Sequence, residues 1–566
     1  MAVYQYERLS NPGDIRVLHL LPGRHSDTLS GDIEHSNLDD PKCEYEALSY
    51  EWGRPEKTHV FHLQDGHFIR ITSALHDALR DLRREPPSKR HRTIWADGIC
   101  IDQDNKQELE KQVAIMGTIY RTARRVVTYI GPERDGSSTA IEFVRTLHHD
   151  CHPATVQHRP WYLRILQWTR PPAGVKLPPL SDPRWAAAKS LLSRGWASRC
   201  WCAQEFLLNP NLIMMCGRVE MPDYDCLLEV VRLTFIRALP AHLLPSSSED
   251  PNAPAECLYN LGGMRYTVSR SQTPLLTLLI FSHPFRATNP LDKIYSLLGL
   301  ASDQPTLRIP IDYTLRPETL YTTVATLLLA HSPSISLLHH SLPTKSLPLP
   351  SWVPDWSTWV YGTTGVTGAA AYCASGRTRF HPTVYPTGAR LDLPGCLVDK
   401  ITRLGSPIGP HYARLGEQWE LVKTLKTRYD DSALVGVFWR TLVGGCTFHG
   451  PLAGEEYRGY FDAHVEFDKD SAARERERAR EFIDAVRRKS RSRRLATTGM
   501  GYLGAVPEAA EVGDWVCMFH GGPSLYLVRE REPGRWVYLG LAYVQGLMQG
   551  EVLEKKWYKE SVISLV

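Results

Sequence analysis

The chain has 566 residues, long enough for two to four domains with real cores. Its 43% apolar and 23% charged residues are ordinary for a soluble globular protein, and a net charge of +4 gives no electrostatic case for nucleic acid or an anionic membrane as partner. The twelve cysteines include one close pair, Cys200 and Cys202, with no second pair to complete a metal site; no metal is expected, and the thiols read as core filler of a reduced intracellular protein. The N-terminus lacks an apolar signal-peptide core, and no run approaches the length of a membrane span.

Asp14 to Leu21 reads as a strand, followed by a Gly/Ser/Asp-rich loop from Pro22 to Pro41. Tyr45 to Gly53 (Y-E-A-L-S-Y-E-W-G) starts as a buried strand, and Gly53 with Pro55 closes it into a loop. Val60 to Ile71 alternates as a hairpin. Residues 72–84 form a helix capped by Thr72 or Ser73, with Leu75, Ala78, Leu79 and Leu82 as its apolar stripe. Thr93 to Asp97 is a strand and Gly98 to Gln103 a loop. Asp104 or Asn105 then caps a helix with the stripe Leu109, Val113, Met116, Tyr120 and Ala123, and Val126 to Ile130 is the next strand. Strand, helix, strand at this spacing is a βαβ unit, so part of the sheet is parallel. Ligand crevices of such sheets lie beyond the C-terminal ends of the strands. Asp97 to Asp102 stand at one such end, and the loop after Ser49 and Tyr50 at another.

Residues 132–192 read as an insertion, with a helix near 138–148 and a Pro-rich piece at 159–183. Ser193 to Phe206 (S-R-G-W-A-S-R-C-W-C-A-Q-E-F) leads into a short helix over 196–208 that places Trp201 and Glu205 on one face. A carboxylate there is either paired, with Arg194 or Arg199, or functional. A strand follows at Leu212 to Cys216. Residues 224–335 are mostly helical around a polar loop near 246–254, and Ser341 to Pro350 is a connector. Beyond it the chain is β-rich. An Arg/Glu-dense run at 469–494 interrupts this region and reads as a solvated helix, whose basic end (Arg487, Arg488, Lys489, Arg491, Arg493, Arg494) also fits a nuclear-import signal. Val512 to Glu551 closes the chain as alternating strands.

Three blocks, Tyr45 to Gly53, Ile94 to Gly131 (I-W-A-D-G-I-C-I-D-Q, then Q-V-A-I-M-G-T-I-Y) and Arg194 to Glu205 (R-G-W-A-S-R-C-W-C-A-Q-E), together resemble the fungal heterokaryon-incompatibility (HET) domain. Asp292 to Leu300 (D-K-I-Y-S-L-L-G-L), Pro350 to Ser357 and Gly540 to Glu551 resemble segments of long fungal HET-domain proteins. The resemblance implies a filamentous fungus and a part in non-self recognition, programmed cell death and innate immunity. HET domains are in turn similar to TIR domains, which have a flavodoxin-like parallel sheet. Ser193, Trp196, Trp201 with Cys202, and Glu205 keep the order and spacing of a TIR motif whose Glu is catalytic in NAD-cleaving members. The insertion at 132–192 and Gln204 beside the Glu depart from that pattern.

The expectation is therefore an α/β chain: a TIR-like domain at 1–222, a helical middle region at 223–340 and a β-rich region at 341–566. The resemblance implies an NAD+ nucleosidase with Glu205 as catalytic carboxylate, stabilising an oxocarbenium-like ribosyl cation. Ser49, Tyr50 and Glu51 would line the crevice, Trp52 and Arg54 meet base and phosphate, Asp97 take sugar hydroxyls, and Trp201 stack. Each has a plainer reading as strand end, loop packing, core or, for Asp102 above all, helix cap. NAD+ or a related nucleotide enters as substrate, with no cofactor. Self-association on activation, a protein partner and a cytoplasmic location complete the picture. A non-catalytic signalling and oligomerisation module, and a different glycosyl-transfer or biosynthetic reaction in the same pocket, stay open. Cys202, between aromatics and without a nearby His, is not expected to be a nucleophile. With neither a P-loop nor a Rossmann glycine fingerprint, no classical triphosphate switch is encoded.

Overall fold

Glu46 to Tyr50 are buried at every position, the pattern of a strand covered on both faces, and this strand forms the middle of the N-terminal sheet. In the computed structural model the described residues are 2–151, 176–221, 224–235, 254–270, 272–331, 334–358, 371–385, 389–408, 415–425, 427–447, 452–465 and 473–566. They divide into two compact units, Met1–Leu315 and Arg316–Val566. The helices read as a middle region fall on both sides of that division, with Pro317–His331 in the second unit.

In the first unit, strands β1 (Ala2–Val3), β2 (Asp14–Leu20), β3 (Ser30–Asn37), β4 (Glu46–Tyr50), β5 (His59–Leu63), β6 (His67–Ile71), β7 (Arg92–Trp95), β8 (Arg125–Tyr129), β9 (Leu212–Cys216) and β10 (Val219–Met221) make one sheet in the order β1-β6-β5-β3-β2-β7-β4-β8-β9-β10. Its centre, β7-β4-β8-β9, is parallel, with Ala47 opposite both Trp95 and Val126. The βαβ expectation holds here: β7 and β8 are joined by the helix Lys106–Thr122 and both run parallel to β4 between them. The flanks are mixed, since β2 pairs antiparallel with β3 and β7, β5 with β6, and β9 with β10. The parallel run is therefore continuous at the core, while on the flank the parallel pairs β1-β6 and β3-β5 alternate with antiparallel ones.

Several local expectations need correction. The loop predicted over Pro22 to Pro41 contains β3, whose polar sequence S-G-D-I-E-H-S-N is held by its ladder with β2 rather than by an apolar alternation. The loop after β7 opens with a helical turn, Asp97–Cys100. Asn105, not Asp102, caps the following helix, its side chain accepting from the Glu108 amide at 3.2 Å. The insertion carries Ser137–Cys151 and a second helix, Arg184–Leu192, with Phe143 and Trp185 edge to face at 4.8 Å between ring centroids. Most of the Pro-rich piece and most of the polar loop near 246–254 lie outside the described residues.

The second unit contains β11 (Thr383–Val384), β12 (Leu391–Pro407), β13 (Arg493–Thr498), β14 (Leu503–Pro507), β15 (Trp515–Phe519), β16 (Leu525–Glu532), β17 (Arg535–Val544) and β18 (Ser561–Leu565). Strand β12 bends at three register shifts, so its first half pairs with β15 and β18 and its second half with β13. The ladders β12-β13-β14-β17-β16-β15 return to β12 and close an antiparallel barrel. The β-rich expectation is thus met but incomplete, because helices Leu415–Thr424, Asp431–Leu442 and Glu456–Val465 also lie here. The charged run is a helix, Ala473–Ser490, but it is not solvated all round: Phe482, Ala485 and Val486 are buried against Phe438, Trp439 and Leu442. Its basic end is not a free run either, since Arg493 begins β13. Among the described residues, no helix is long and apolar enough to cross a membrane.

Candidate functional site

Ser49 and Tyr50 are the last residues of β4, and Asp97 comes one residue after the end of β7, so both parallel strands deliver polar side chains to the same edge of the sheet. The predicted helix over 196–208 is broken. Gly195–Ser198 is a 3-10 turn, and the α-helix begins only at Cys202 and ends at Leu207. Trp201 and Glu205 stay one turn apart, the Glu205 amide donating to the Trp201 carbonyl at 3.4 Å, but their side chains meet different partners. Glu205 Oε2 accepts from the Ser49 hydroxyl at 2.5 Å, and the Ser49 oxygen accepts from Trp196 Nε1 at 2.8 Å. The indole of Trp201 is instead bonded to Asp292.

Neither arginine expected to pair with Glu205 does so directly. Arg194 donates to the carbonyls of Ile130, Pro132 and Arg134, pinning the loop after β8. Arg199 donates to the Tyr50 carbonyl and reaches the carboxylates through its field. Burial alone would lower Arg199, but Glu205 and Asp97 hold it above its ordinary range. Glu205 is 1% exposed. Burial pushes its carboxyl up to about 7; Arg199 and the Ser49 bond pull it down, and Asp97 adds to the rise. Asp97 is also raised by burial, against Arg199 and bonds from Trp52 and Tyr50, with Trp52 Nε1 donating to Oδ2 at 2.7 Å.

Ser49, Tyr50, Trp52, Asp97 and Glu205 therefore form one buried or half-buried polar group around Arg199. Glu51 and Arg54 are exposed and stand outside it, and half-buried Trp201 borders it on the Asp292 side. Ser193 is exposed and donates to the Lys189 carbonyl at 2.7 Å, away from the cluster. Cys202 is packed, its thiol raised by burial. Asp292 reads from sequence as a turn residue or half of an ion pair with Lys293. Instead it accepts from Tyr313 at 2.7 Å and feels Arg199, while Lys293 donates to the carbonyls of His283 and Phe285 at 2.8 and 2.6 Å. The motif D-K-I-Y-S-L-L-G-L was visible, but its link to the cluster runs through an indole 91 residues earlier, which no local pattern shows. Among the described residues, no group of three or more His, Cys, Asp or Glu is placed to hold a metal.

The segment bearing Asp292 seals the motif from behind. Cys200 N donates to the Arg286 carbonyl at 2.9 Å, and Gln204 Nε2 reaches the Tyr295 carbonyl at 3.4 Å. A Cβ at Gly299 would stand 2.9 Å from Gln204 Oε1, and one at Gly117 would stand 3.2 Å from the Gly299 Cα. Gln204 is buried and cannot swing clear. Gly299→Ala is expected to destabilise the protein by about 1–3 kcal/mol, read as a lower urea midpoint at unchanged slope. A midpoint equal to wild type would show that the packing there is loose.

A second expectation concerns pH. The folded state keeps the Glu205 proton to about 7, whereas the unfolded chain releases it near 4.5. The stability due to the neutral acid is complete below the lower value and is lost as pH rises through the higher. Asp97, Arg199 and Tyr50 face the same cluster, and Asp97 shifts in the same sense as Glu205. Urea midpoints of wild type and Glu205→Gln between about pH 5 and about pH 8 are expected to diverge, with only the wild type losing the Glu205 share. Parallel curves would contradict it.

Residues 45–205 match the family model described as heterokaryon incompatibility protein (HET), and residues 454–562 match the Het-6 beta-barrel domain. The whole chain is similar to heterokaryon incompatibility protein 6, OR allele, of Neurospora crassa, with 26% identity over 672 aligned positions covering 97% of this chain and 96% of that protein. No solved structure matches the chain. The first match begins one residue before β4 and ends on Glu205; the second covers the barrel from β13 to β17 and leaves β12, which closes it, outside. The parallel core thus carries a HET match and the closed ring a Het-6 barrel match, in a chain similar over nearly its whole length to a heterokaryon incompatibility protein.

Proposed function

We propose that this protein acts in heterokaryon incompatibility and that its N-terminal unit is a TIR-like domain that cleaves the nicotinamide N-glycosidic bond of NAD+, with Glu205 as the catalytic carboxylate. The observation that carries the reading is the hydrogen bond from Ser49 to Glu205 at the C-terminal edge of the parallel strands, with Asp97 and Arg199 on the same cluster. In the reaction the C1′–N bond breaks and its electron pair leaves with the pyridine nitrogen, giving neutral nicotinamide. Water then adds at C1′ and releases a proton. A carboxylate beside C1′ stabilises the ribosyl cation between those steps. Trp52 and Trp201, each half-buried at the border, offer stacking faces. Glu205 is closed to a nucleotide in this form, and self-association is the step that opens it.

One observation favours a second reading. A carboxylate at 1% exposure, held by Ser49 within a network that includes Trp196, also suits a non-catalytic module whose polar centre fixes the short helix on the sheet. NAD+ loss measured with wild type and Glu205→Gln, at low and high protein concentration, separates the two.

A further inference from the structure

Between β4 and β5 the chain runs through Glu51 to Thr58, and every residue of this segment except Trp52 is exposed. It is tied down towards its two ends. At the first, Trp52 Nε1 donates to Asp97 Oδ2 at 2.7 Å, and the Glu51 carboxylate fills the space that a Cβ at Gly195 would need. Gly53 then turns the chain at a φ of 66°, where a Cβ would stand 3.5 Å from that of Ala74. At the second end His59, the first residue of β5, stacks on His76 of the helix Ser73–Leu82. The two ring centroids are 4.3 Å apart and the planes 31° from parallel. An indole thus holds one end of the segment on the polar cluster, and an imidazole pair holds the other on the helix.

The surroundings of the pair suit neutral rings. His76 Nδ1 is buried without a hydrogen-bond partner, 3.7 Å from Asp77 Oδ1, and Asp77 is itself engaged by Arg80 at 3.0 Å. His59 Nδ1 stands 3.0 Å from Thr58 Oγ1, and its partner across the ladder on β6 is the uncharged Ile71. Burial, then His59 and Arg80, push His76 below the ordinary histidine range, and Asp77 opposes them. Because the folded value is the lower one, the stability given by the neutral ring is present above 6.5 and is lost as pH falls through the folded value. Neutral rings attract through their faces, whereas two imidazolium ions stacked this closely repel.

We propose that Glu51 to Thr58 is a pH-responsive flap on the Ser49–Asp97–Glu205 cluster, clasped at neutral pH by the stacked rings of His59 and His76 and released in acid. Its role as a gate rests on the reading of that cluster as the catalytic site. The test does not, so the flap can fail while NAD+ is consumed and hold while NAD+ is left intact. The full chain is footprinted with hydroxyl radicals, and the labelling of Trp52 is read by mass spectrometry against that of Trp201, with the wholly buried Trp95 marking an intact fold. Wild-type labelling of Trp52 relative to Trp201 is expected to rise at least about threefold between about pH 7.5 and about pH 5, with Trp95 still protected. His59→Phe and His76→Phe keep a ring in the stack but cannot form two stacked cations, and each is expected to abolish the rise. His59→Gln carries the test if the phenyl ring does not fit. Asp97 also titrates, so these variants separate the clasp from the Trp52 bond itself. Labelling of Trp52 that is unchanged by pH in the wild type overturns the proposal. A rise of equal size in wild type and variants overturns it as well.

Discussion

Glu205→Gln is expected to lower NAD+ consumption by the purified chain about 10²–10⁴-fold, the range lost when a positioned charged or proton-transferring group is removed. Glutamine has the same shape and keeps an oxygen for the Ser49 hydroxyl, so the fold is expected to survive; the urea midpoint checks this. The reaction needs the carboxylate ionised. Burial holds that group near 7, so the rate is expected to rise as pH passes through this value and to level off above it. Because the carboxylate is enclosed, the specific rate is also expected to climb with protein concentration as copies associate. Should the wild type leave NAD+ intact at high concentration, while a TIR-type control enzyme consumes it, the catalytic reading is wrong. The Ser49–Glu205–Trp196 network would then be structural.

The largest stability effect is expected at Arg16. This residue of β2 is wholly buried and grips Glu108 with both terminal nitrogens, at 2.6 and 3.0 Å. It also donates to the carbonyls of Cys100 and Glu7, at 3.1 and 2.5 Å, and Glu108 accepts from the Asp102 amide at 2.8 Å. Arg16→Met keeps much of the volume but strands a buried carboxylate, so a loss of about 3–5 kcal/mol is expected. The double variant Arg16→Met with Glu108→Leu removes both charges and is expected to recover a large part of it, since a buried pair is worth little net over apolar groups of the same volume. Urea unfolding of the two single variants and the double measures this coupling. Equal losses that simply add would mean the pair does not act as a unit. Arg16 and Glu108 also clamp both ends of the segment Cys100 to Asp102, so Arg16→Met is expected to disturb Asp97 and any activity that depends on it.

Sequence pattern alone shows the central strands, the hairpin read over Val60 to Ile71 and the helices after Thr72 and Asn105, because the strands have their own period and the helices a period and a cap. It fails where the force is not periodic. Strand β3 is polar and owes its place to backbone pairing with β2. The helix Asp431–Leu442 has both a cap, Asp430, and a stripe of Leu434, Phe438 and Leu442, yet it sits among strand candidates that drew the reading toward sheet. At the site, the three blocks of resemblance brought Ser49, Asp97 and Glu205 onto one page. They could not show that Trp196 would bond Ser49, or that Arg199 would answer Asp97 and Asp292 as well as nearby Glu205, because those relations are made by folding between distant parts of the chain. Arg16 was legible only as one letter of a strand, since its partner lies 92 residues on.

The seal formed by Arg286, Tyr295 and Gly299 behind the short helix has a bearing on how segments of this chain can be exchanged with those of a relative. A chimera cut at the borders of the matched segment, 45 and 205, would import Glu108 without its native Arg16 and Gln204 without its native glycine at 299. Such a graft carries mismatched halves of two fitted joints. The smallest piece that travels with its joints intact is the whole first unit, Met1 to Leu315. Crossovers inside that span would cost stability.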